Sequence, residues 1–152
     1  MSDPLTYSSR SARHNLPFLF VGQAQKEVFV NEALARLDLL VNPTVEGVSS
    51  APPDAPGDGA LYIVATGATG EWSGHDGELA GWQAGAWLYQ KPFIGCRAYD
   101  VSTGAVTVYD GQWRSAQTPN SPSGGSTIDN EARSAIDTLI LRLAELGIFS
   151  AT

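Results

Sequence analysis

The chain has 152 residues, 43 % of them hydrophobic, and a net charge of −7, which is the length of one domain with a substantial core. The acidic balance excludes a nucleic-acid backbone as ligand, because such ligands require clustered Lys and Arg, and only nine are spread along this chain. The apolar runs are too short to cross a bilayer, so we expect no membrane insertion. The N-terminus lacks the apolar core of a signal peptide, so we expect synthesis in the cytoplasm.

The N-terminal part predicts an arm followed by a helix. Residues 1–22 form the arm, and its first 15 residues are polar and aperiodic, so they should be extended or ordered only against a partner. Residues 23–42 show helical periodicity until Pro43 stops it, with Glu32 and Arg36 as an i, i+4 pair. The apolar residues that this periodicity places on one face are Val30, Leu34, Leu37 and Val41.

A β region follows a Pro- and Gly-rich connection at 43–60. Between residues 61 and 115, the segments LYIVA, GAWLYQ, GCRAYD and AVTVYDGQW are short, rich in Val, Tyr and Trp, and separated by Gly-containing turns. We therefore predict an α+β fold with a small antiparallel β module, either a sheet or a barrel. The arm and first helix flank this module on one side, and a C-terminal helix flanks it on the other.

A Gly-x-Trp pattern recurs as GEW, GAW and GQW and contains three of the four tryptophans. Two of these tryptophans belong to predicted hairpins, in which Trp82 and Trp87 flank QAGA, and Tyr109 and Trp113 flank an Asp-Gly turn. We interpret glycine as the turn residue and tryptophan as the residue that opens the returning strand, where its ring packs across to the partner. Trp72 follows a loose loop and is therefore the best candidate for an exposed ring.

The C-terminal part predicts a linker at 116–126 and a helix at 127–148. Ser126 and Asp129 have the spacing of a capping box, and Gly147 is placed to end the helix. The helix has an apolar stripe with intervals of three, four and three, formed by Ile136, Leu139, Leu143 and Leu146. Because a helix of this length is marginal alone, the stripe should pack against the β module or against copies of itself.

No residue pattern predicts an active site. The stretch GHDGE places His75, Asp76 and Glu78 in one loop, but their spacing matches no established metal site or acid–base pair. His14 has no carboxylate or cysteine near it in sequence, which favours an ordinary surface histidine. Cys96 is the only cysteine and should be a small buried residue. We therefore expect no catalytic residues, no metal and no cofactor.

The aromatic residues between 72 and 113 leave two hypotheses open. The rings can fill a β core and an oligomer interface, which we favour. They can instead stack on the apolar faces of sugar rings, with Gln83, Asp76 and Gln112 as hydrogen-bonding neighbours. The tryptophans that such a carbohydrate-binding surface would use are Trp72, Trp82, Trp87 and Trp113. A polysaccharide-degrading enzyme is a third hypothesis and has the least support.

Three segments carry a family resemblance: LPFLFVGQAQKEVFVNEALARLDLLV, PGDGALYIVATGATGEWSGHDGELAGWQAGAWLY and VYDGQW. The most specific parts are QAQKE running into NEALARLD, and the pattern GxWxGHDGxLAxW. These segments resemble a bacteriophage-derived family that is known only as a domain of unknown function and is found in phage tail or fibre proteins and in gene transfer agents.

The resemblance implies a virion structural protein on the surface of a phage-like particle, synthesised in the bacterial cytoplasm. In gene transfer agents, such a protein is associated with head spikes, which help particles adsorb to the capsule polysaccharide of recipient cells. The implied partners are a capsid or tail protein, a receptor-binding fibre protein and further copies of the chain, as a trimer or a pentamer. We expect the stripe of the C-terminal helix and the start of the first helix to form the interfaces, the latter through Gln23, Gln25, Lys26 and Asn31. The alternative is a carbohydrate-binding module that contacts host capsule polysaccharide directly.

Overall fold

A computed structural model describes residues 9–22 and 26–150. Within these ranges, the chain forms two helices and eight strands. The helices are α1 (Lys26–Leu40) and α2 (Asn130–Glu145). The strands are β1 (Thr44–Val45), β2 (Val48–Ser49), β3 (Leu61–Val64), β4 (Leu79–Gln83), β5 (Ala86–Gln90), β6 (Arg97–Asp100), β7 (Ala105–Tyr109) and β8 (Trp113–Ser115).

The strands form two open sheets of four, with the orders β1-β6-β7-β8 and β2-β3-β4-β5. The α+β prediction is confirmed, and the strands do not close into a barrel. Most neighbours are antiparallel, but β1 pairs parallel with β6, and β2 pairs parallel with β3. Both sheets are therefore mixed, because the connection predicted at 43–60 contributes one two-residue strand to each of them.

The short segment between β1 and β2 carries the chain from one sheet to the other. The Glu46 N–H donates to the Leu61 carbonyl at 2.8 Å, and the Gly47 carbonyl accepts from the Ile63 N–H at 3.0 Å. Toward the first sheet, the Val45 carbonyl of β1 accepts from the Val101 N–H, which directly follows β6, at 2.9 Å. These backbone bonds hold the two sheets together at one edge.

The main core lies between the sheets and α1. Its largest fully buried side chains include Leu39 of α1, Val45 of β1 and Leu61, Ile63 and Leu79 of the second sheet. Cys96 is buried beside them, as predicted, and burial raises the pKa of its thiol.

The helix α1 approaches β4 closely at Gly81. A Cβ atom at this position would lie 2.5 Å from both Cδ atoms of Leu39. Because Leu39 is fully buried and has little room to move, the contact requires glycine.

The apolar face that the periodicity of α1 predicts is largely exposed. Val30, Leu37 and Val41 are 40 %, 51 % and 51 % exposed, and Leu34 is only partly buried against the core. The residues that α1 buries are Glu27, Asn31, Ala35, Asp38 and Leu39. The buried polar side chains bind the N-terminal arm, which the helical periodicity of apolar residues does not reveal. The predicted Glu32–Arg36 pair is present, with N and O 2.8 Å apart.

The described part of the arm, residues 9–22, is ordered against the chain's own α1. Phe18 enters the main core and is 6 % exposed. The segment closes on itself through a bond from the Ser11 N–H to the Leu16 carbonyl at 2.9 Å. Residues 9–15 of the polar arm therefore pack against α1 of the same chain, and residues 1–8 lie outside the described residues.

Both predicted hairpins are confirmed. In the first, Trp82 pairs with Trp87 across a turn in which Ala84 and Gly85 have φ angles of 53° and 78°. Positive φ at both central positions is the requirement of a type I′ turn, which glycine meets without strain. In the second, Tyr109 pairs with Trp113.

The helix α2 begins differently from the prediction. Its N-cap is Asp129, whose side chain accepts a hydrogen bond from the Ala132 N–H at 2.9 Å, so Ser126 does not form a capping box. A carboxylate at the N-cap binds the free N–H groups directly, which leaves no role for a residue three positions earlier. Gly147 ends the helix with a φ of 69°, as predicted, and its carbonyl accepts from the Val106 N–H at 2.6 Å. Neither α1 nor α2 is both long and apolar enough to span a membrane.

Candidate functional site

The aromatic cluster of the second sheet contains Tyr62, Trp72, Trp82 and Trp87. Trp72 packs against Tyr62 and Trp87 with ring centroids 5.5 and 5.0 Å apart, and Trp82 lies 5.1 Å from Trp87. Trp72 is fully buried, so the expectation that it is the most exposed ring is wrong. The other two tryptophans are half-buried against their neighbours. These three rings therefore form a packed cluster and not an open stacking platform.

Trp72 also departs from the Gly-x-Trp interpretation. It ends a short 3-10 turn, Gly70–Trp72, and does not open a strand. The surrounding loop folds back onto the sheet because the Thr69 N–H donates to the Ser50 carbonyl at 2.8 Å. The interpretation holds for Trp113, the first residue of β8, and for Trp87, the second residue of β5.

The GHDGE loop forms a local hydrogen-bonded structure. The His75 ring stacks on Tyr89 with centroids 3.5 Å apart, and its Nδ1 lies 2.9 Å from Oε2 of Glu78. Asp76 accepts the backbone N–H groups of Gly67 and Ala68 at 2.8 and 3.1 Å. In residues 9–22 and 26–150, no three His, Cys, Asp or Glu side chains are grouped to hold a metal ion.

A cleft of 450 Å³ lies between the two sheets, and we call it the inter-sheet cleft. One wall is the β7–β8 hairpin with Tyr109, Gln112 and Trp113, and the other is the end of β3 with the loop at Thr66 and Asp76. The cleft therefore brings together Trp113, Asp76 and Gln112, which the sequence analysis named as carbohydrate-binding candidates. The remaining candidates, Trp72, Trp82, Trp87 and Gln83, do not line it.

The Trp113 ring is held in a fixed position in this cleft. Its Nε1–H donates to the Gly77 carbonyl on the opposite wall at 2.9 Å. The ring also packs on Tyr109, with centroids 5.4 Å apart and planes at 60°. This edge-on geometry is favourable for aromatic pairs and leaves part of each ring at the surface of the cleft.

The electrostatics of the cleft are set by Asp76. The backbone N–H groups of Gly67 and Ala68 hold the pKa of this carboxyl below its ordinary value. Hydrogen bonds to the charged form of a carboxylate favour ionisation. Among the described residues that line the cleft, no other side chain is charged.

Three buried polar side chains of α1 hold the arm, and we call them the arm clasp: Glu27, Asn31 and Asp38. Asn31 accepts from the Leu19 N–H at 2.8 Å and donates to the Leu19 carbonyl at 3.0 Å. Glu27 accepts from the Gly22 N–H at 3.2 Å. The intervals of four and seven residues place all three on one helical face, and this polar stripe is the signal in the sequence that could have identified the clasp.

Asp38 is the most buried member of the arm clasp. It accepts from the Ser11 hydroxyl at 2.7 Å and from the N–H groups of Arg13 and His14 at 2.9 and 2.8 Å. The His14 Nδ1 lies 3.0 Å from the same carboxylate. His14 is exposed, as predicted, but its carboxylate partner is 24 residues away in sequence.

The predicted interface residues fall into three groups. The four stripe residues of α2 are exposed, and Lys26 is exposed at the start of α1. Asn31 is 5 % exposed and binds Leu19 of its own chain. Gln23 and Gln25 lie outside the described residues.

Comparison with known families identifies the chain. Residues 30–114, more than half of the sequence, match the model of a family described as a protein of unknown function (DUF2793). The chain belongs to this family. A search of curated proteins finds no significant match.

The DUF2793 match covers most of α1 and nearly all of the β module. Every residue that lines the inter-sheet cleft lies within the matched range. The described arm and α2 lie outside it. The family-matched unit, residues 30–114, therefore contains the cleft, and the two terminal segments flank it.

Proposed function

We propose that this DUF2793 protein is a virion structural protein of a phage-like particle, either a phage or a gene transfer agent. It acts as an oligomeric adaptor or base of a head spike or tail fibre and supports attachment to the host surface. The observation that carries the oligomeric part of this proposal is the exposed stripe of α2. The particle assignment rests on the sequence resemblance.

The stripe leaves a large apolar surface without cover in the described chain. Ile136, Leu139, Leu143 and Leu146 are 43 %, 61 %, 37 % and 73 % exposed, and no residue of α2 is buried. A 16-residue helix with such a face is marginal in water. Intervals of three, four and three residues are those with which helices pack into one another.

The chain's own linker does not cover this stripe. Residues 118–121 lie along a different face of α2, formed by Asp137, Ile140, Leu141 and Ala144. The stripe is therefore free to pack against the same helix of another copy. A fivefold vertex would require five copies, and a fibre would require three.

Two further features support a structural role in a particle. The net charge of −7 favours solubility and resists nonspecific adhesion of a surface-displayed protein. Around the start of α1, Phe20, Val21 and Phe29 are 75 %, 95 % and 76 % exposed. We assign this second apolar surface to the capsid or tail partner, because large exposed patches mark interaction sites.

The oligomer is tested by light scattering at micromolar concentration, with circular dichroism as a check on folding. The wild type should be oligomeric, and the double variant Leu139→Asp, Leu143→Asp should be a folded monomer. Leu141→Asp is the matched control, because this leucine is 55 % exposed on the other face of the same helix and should leave the oligomer intact. A monomeric wild type would contradict the proposal.

The particle assignment needs a separate experiment. Purified particles should contain the protein by mass spectrometry, and deletion of its gene should remove spikes or fibres in electron micrographs and reduce adsorption to cells. Particles that lack the protein, or that keep their appendages and adsorption without the gene, would refute the assignment.

The alternative function, direct binding of host polysaccharide, has support from one observation. Trp113, Asp76 and Gln112 line one cleft, although they are distant in sequence.

A further inference from the structure

The inter-sheet cleft has the size and composition of a small-ligand site. Its volume of 450 Å³ lies within the usual range of about 300–1,000 Å³ for ligand pockets. Its lining combines apolar groups such as Val48 with a few polar side chains, namely Thr66, Asp76 and Gln112. In an apolar pocket, a small number of polar groups that point toward the ligand fix its orientation.

The aromatic wall suits a ring that has apolar C–H faces. Tyr109 and Trp113 are half-buried, and both line the cleft. Because the Trp113 Nε1–H is already bonded to Gly77, the indole is oriented before any ligand arrives. Preorganisation of this kind lowers the entropy that binding would otherwise lose.

The polar groups suit hydroxyls. The ionised Asp76 carboxylate accepts one backbone N–H on each oxygen, and each oxygen retains lone pairs for further donors. The exposed Gln112 amide on the opposite wall can both donate and accept. A hydroxyl group can donate to the carboxylate and accept from the amide, so a polyhydroxylated ring matches both walls.

The charge of the cleft selects against anions. Asp76 supplies one negative charge, and none of the described lining residues is Lys, Arg or His. A phosphate, sulfate or uronate placed beside Asp76 would be repelled at short range, and no described lining residue supplies a cation to offset the repulsion. We propose that the inter-sheet cleft binds a neutral saccharide ring, which contacts the aromatic wall of Tyr109 and Trp113 and is hydrogen-bonded by Asp76 and Gln112.

The saccharide site rests on the alternative function given above, direct binding of polysaccharide, and does not depend on the oligomeric role. The cleft is formed by residues of one chain, far in sequence from the α2 stripe. The monomeric Leu139→Asp, Leu143→Asp variant should therefore bind one saccharide per chain with wild-type affinity. Titration of this monomeric variant distinguishes failure of the proposed oligomer from failure of the proposed saccharide site.

The test is calorimetric titration of the full chain with neutral gluco-, galacto- and manno-oligosaccharides, and with uronic-acid oligomers of the same length. We expect saturable binding of at least one neutral series and none of the uronates. Gln112→Ala should weaken binding about fivefold, the effect of one neutral hydrogen bond. Gln117→Ala, an exposed glutamine outside the cleft, should leave the affinity unchanged.

Asp76→Asn tests the charge argument, with a thermal melt to confirm that the loop is intact. This variant should bind uronates and neutral sugars with more similar affinities, because the repulsion is gone. Three outcomes would overturn the proposal: no neutral saccharide bound at millimolar concentration, unchanged affinity in Gln112→Ala, or binding of a Lys- and Arg-rich peptide in place of any sugar.

Discussion

Asp38 is a fully buried carboxylate whose charge is stabilised by the arm. Burial alone would raise its pKa, but hydrogen bonds from Ser11, from the backbone of Arg13 and from His14 outweigh that effect and lower it. The lowered pKa means that the ionised form is the one that the folded arm stabilises. Folding and ionisation of this residue are therefore linked.

The lowered pKa of Asp38 determines the pH range in which the arm clasp loses its contribution to stability. A depressed pKa contributes stability above the ordinary value of 3.8, and this contribution is lost as the pH falls through the lower folded value. Asp38→Asn should reduce the free energy of unfolding by about 1–3 kcal/mol at neutral pH, because donors lose a charged acceptor. The difference from wild type should shrink in acid, as measured by urea denaturation at about pH 7 and below pH 3.8.

An exposed aspartate provides the control. Asp137→Asn on α2 should change the unfolding free energy little at either pH, because exposed substitutions are usually near neutral. If Asp38→Asn were as stable as wild type at neutral pH, the clasp would have no energetic role.

Trp72 gives the second prediction at this scale. Trp72→Ala should destabilise the fold by about 3–5 kcal/mol, the range for truncating a large buried aromatic. Trp82→Ala should cost less, because this ring is only half-buried. A thermal melt of both variants checks the order, and an unchanged melting temperature for Trp72→Ala would contradict the packed cluster.

The burial of individual side chains was the least predictable property. The sequence around Trp72 predicts a loop, because the rings that Trp72 packs against, Tyr62 and Trp87, lie in distant segments. The Asp38 bonds to the arm span 24 to 27 residues. The inter-sheet cleft likewise combines residues from 48 to 113, so composition could suggest its chemistry but not which tryptophan belongs to it.

At the scale of helices and strands, the local sequence predicted more of the structure than it did for the burial of single side chains. The two hairpins followed from turn residues between aromatic strands, and the end of α2 followed from Gly147. The strands β1 and β2 have two residues each, which is too short for any periodic pattern. The buried polar face of α1 could not be predicted from apolar periodicity, because its residues bind the arm, which is distant in sequence.

The contact between α1 and β4 gives a prediction about packing. Gly81→Ala should destabilise the fold by about 1–3 kcal/mol, since the added methyl overpacks the space beside Leu39. In combination with Leu39→Ala, the same change should cost less than it does alone, because the methyl then enters vacated space. A double-mutant cycle from denaturation curves measures this coupling.

Gly57→Ala is the matched control for Gly81. A Cβ at Gly57 would meet no atom within 4 Å, and its backbone does not require glycine. Equal effects of the two substitutions, or additive effects of Gly81→Ala and Leu39→Ala, would show that the close approach is not tight in solution.

At the scale of the whole molecule, the chain divides into a family-matched unit and two terminal segments. The matched unit holds the cleft and, apart from Phe18, the buried residues of the main core, whereas the stripe of α2 and the apolar surface at Phe20 and Val21 lie outside it. The fold class could be predicted because it depends on the order of elements. The biological role rests on resemblance, because no side-chain constellation in the sequence specifies a reaction.

We expect the protein not to hydrolyse polysaccharide. Glycosidases require two carboxyl groups flanking the bond, and the described lining of the cleft contains only Asp76. An assay for reducing ends on capsule polysaccharide should show no release above buffer. Release that disappears in Asp76→Ala or Glu78→Ala would establish an enzyme instead.

The arm clasp recognises backbone atoms rather than side chains at Leu19, since Asn31 binds both the N–H and the carbonyl of that residue. Substitutions at position 19 other than proline thus leave both bonds available, whereas a replacement at position 31 must place a donor and an acceptor at two separate atoms, as a carboxamide does. Position 19 can consequently diverge in sequence while the chain keeps its path along α1, whereas Ser11 and Phe18 are held through their side chains. Tolerance to mutation in the arm is thereby concentrated where the helix binds the backbone.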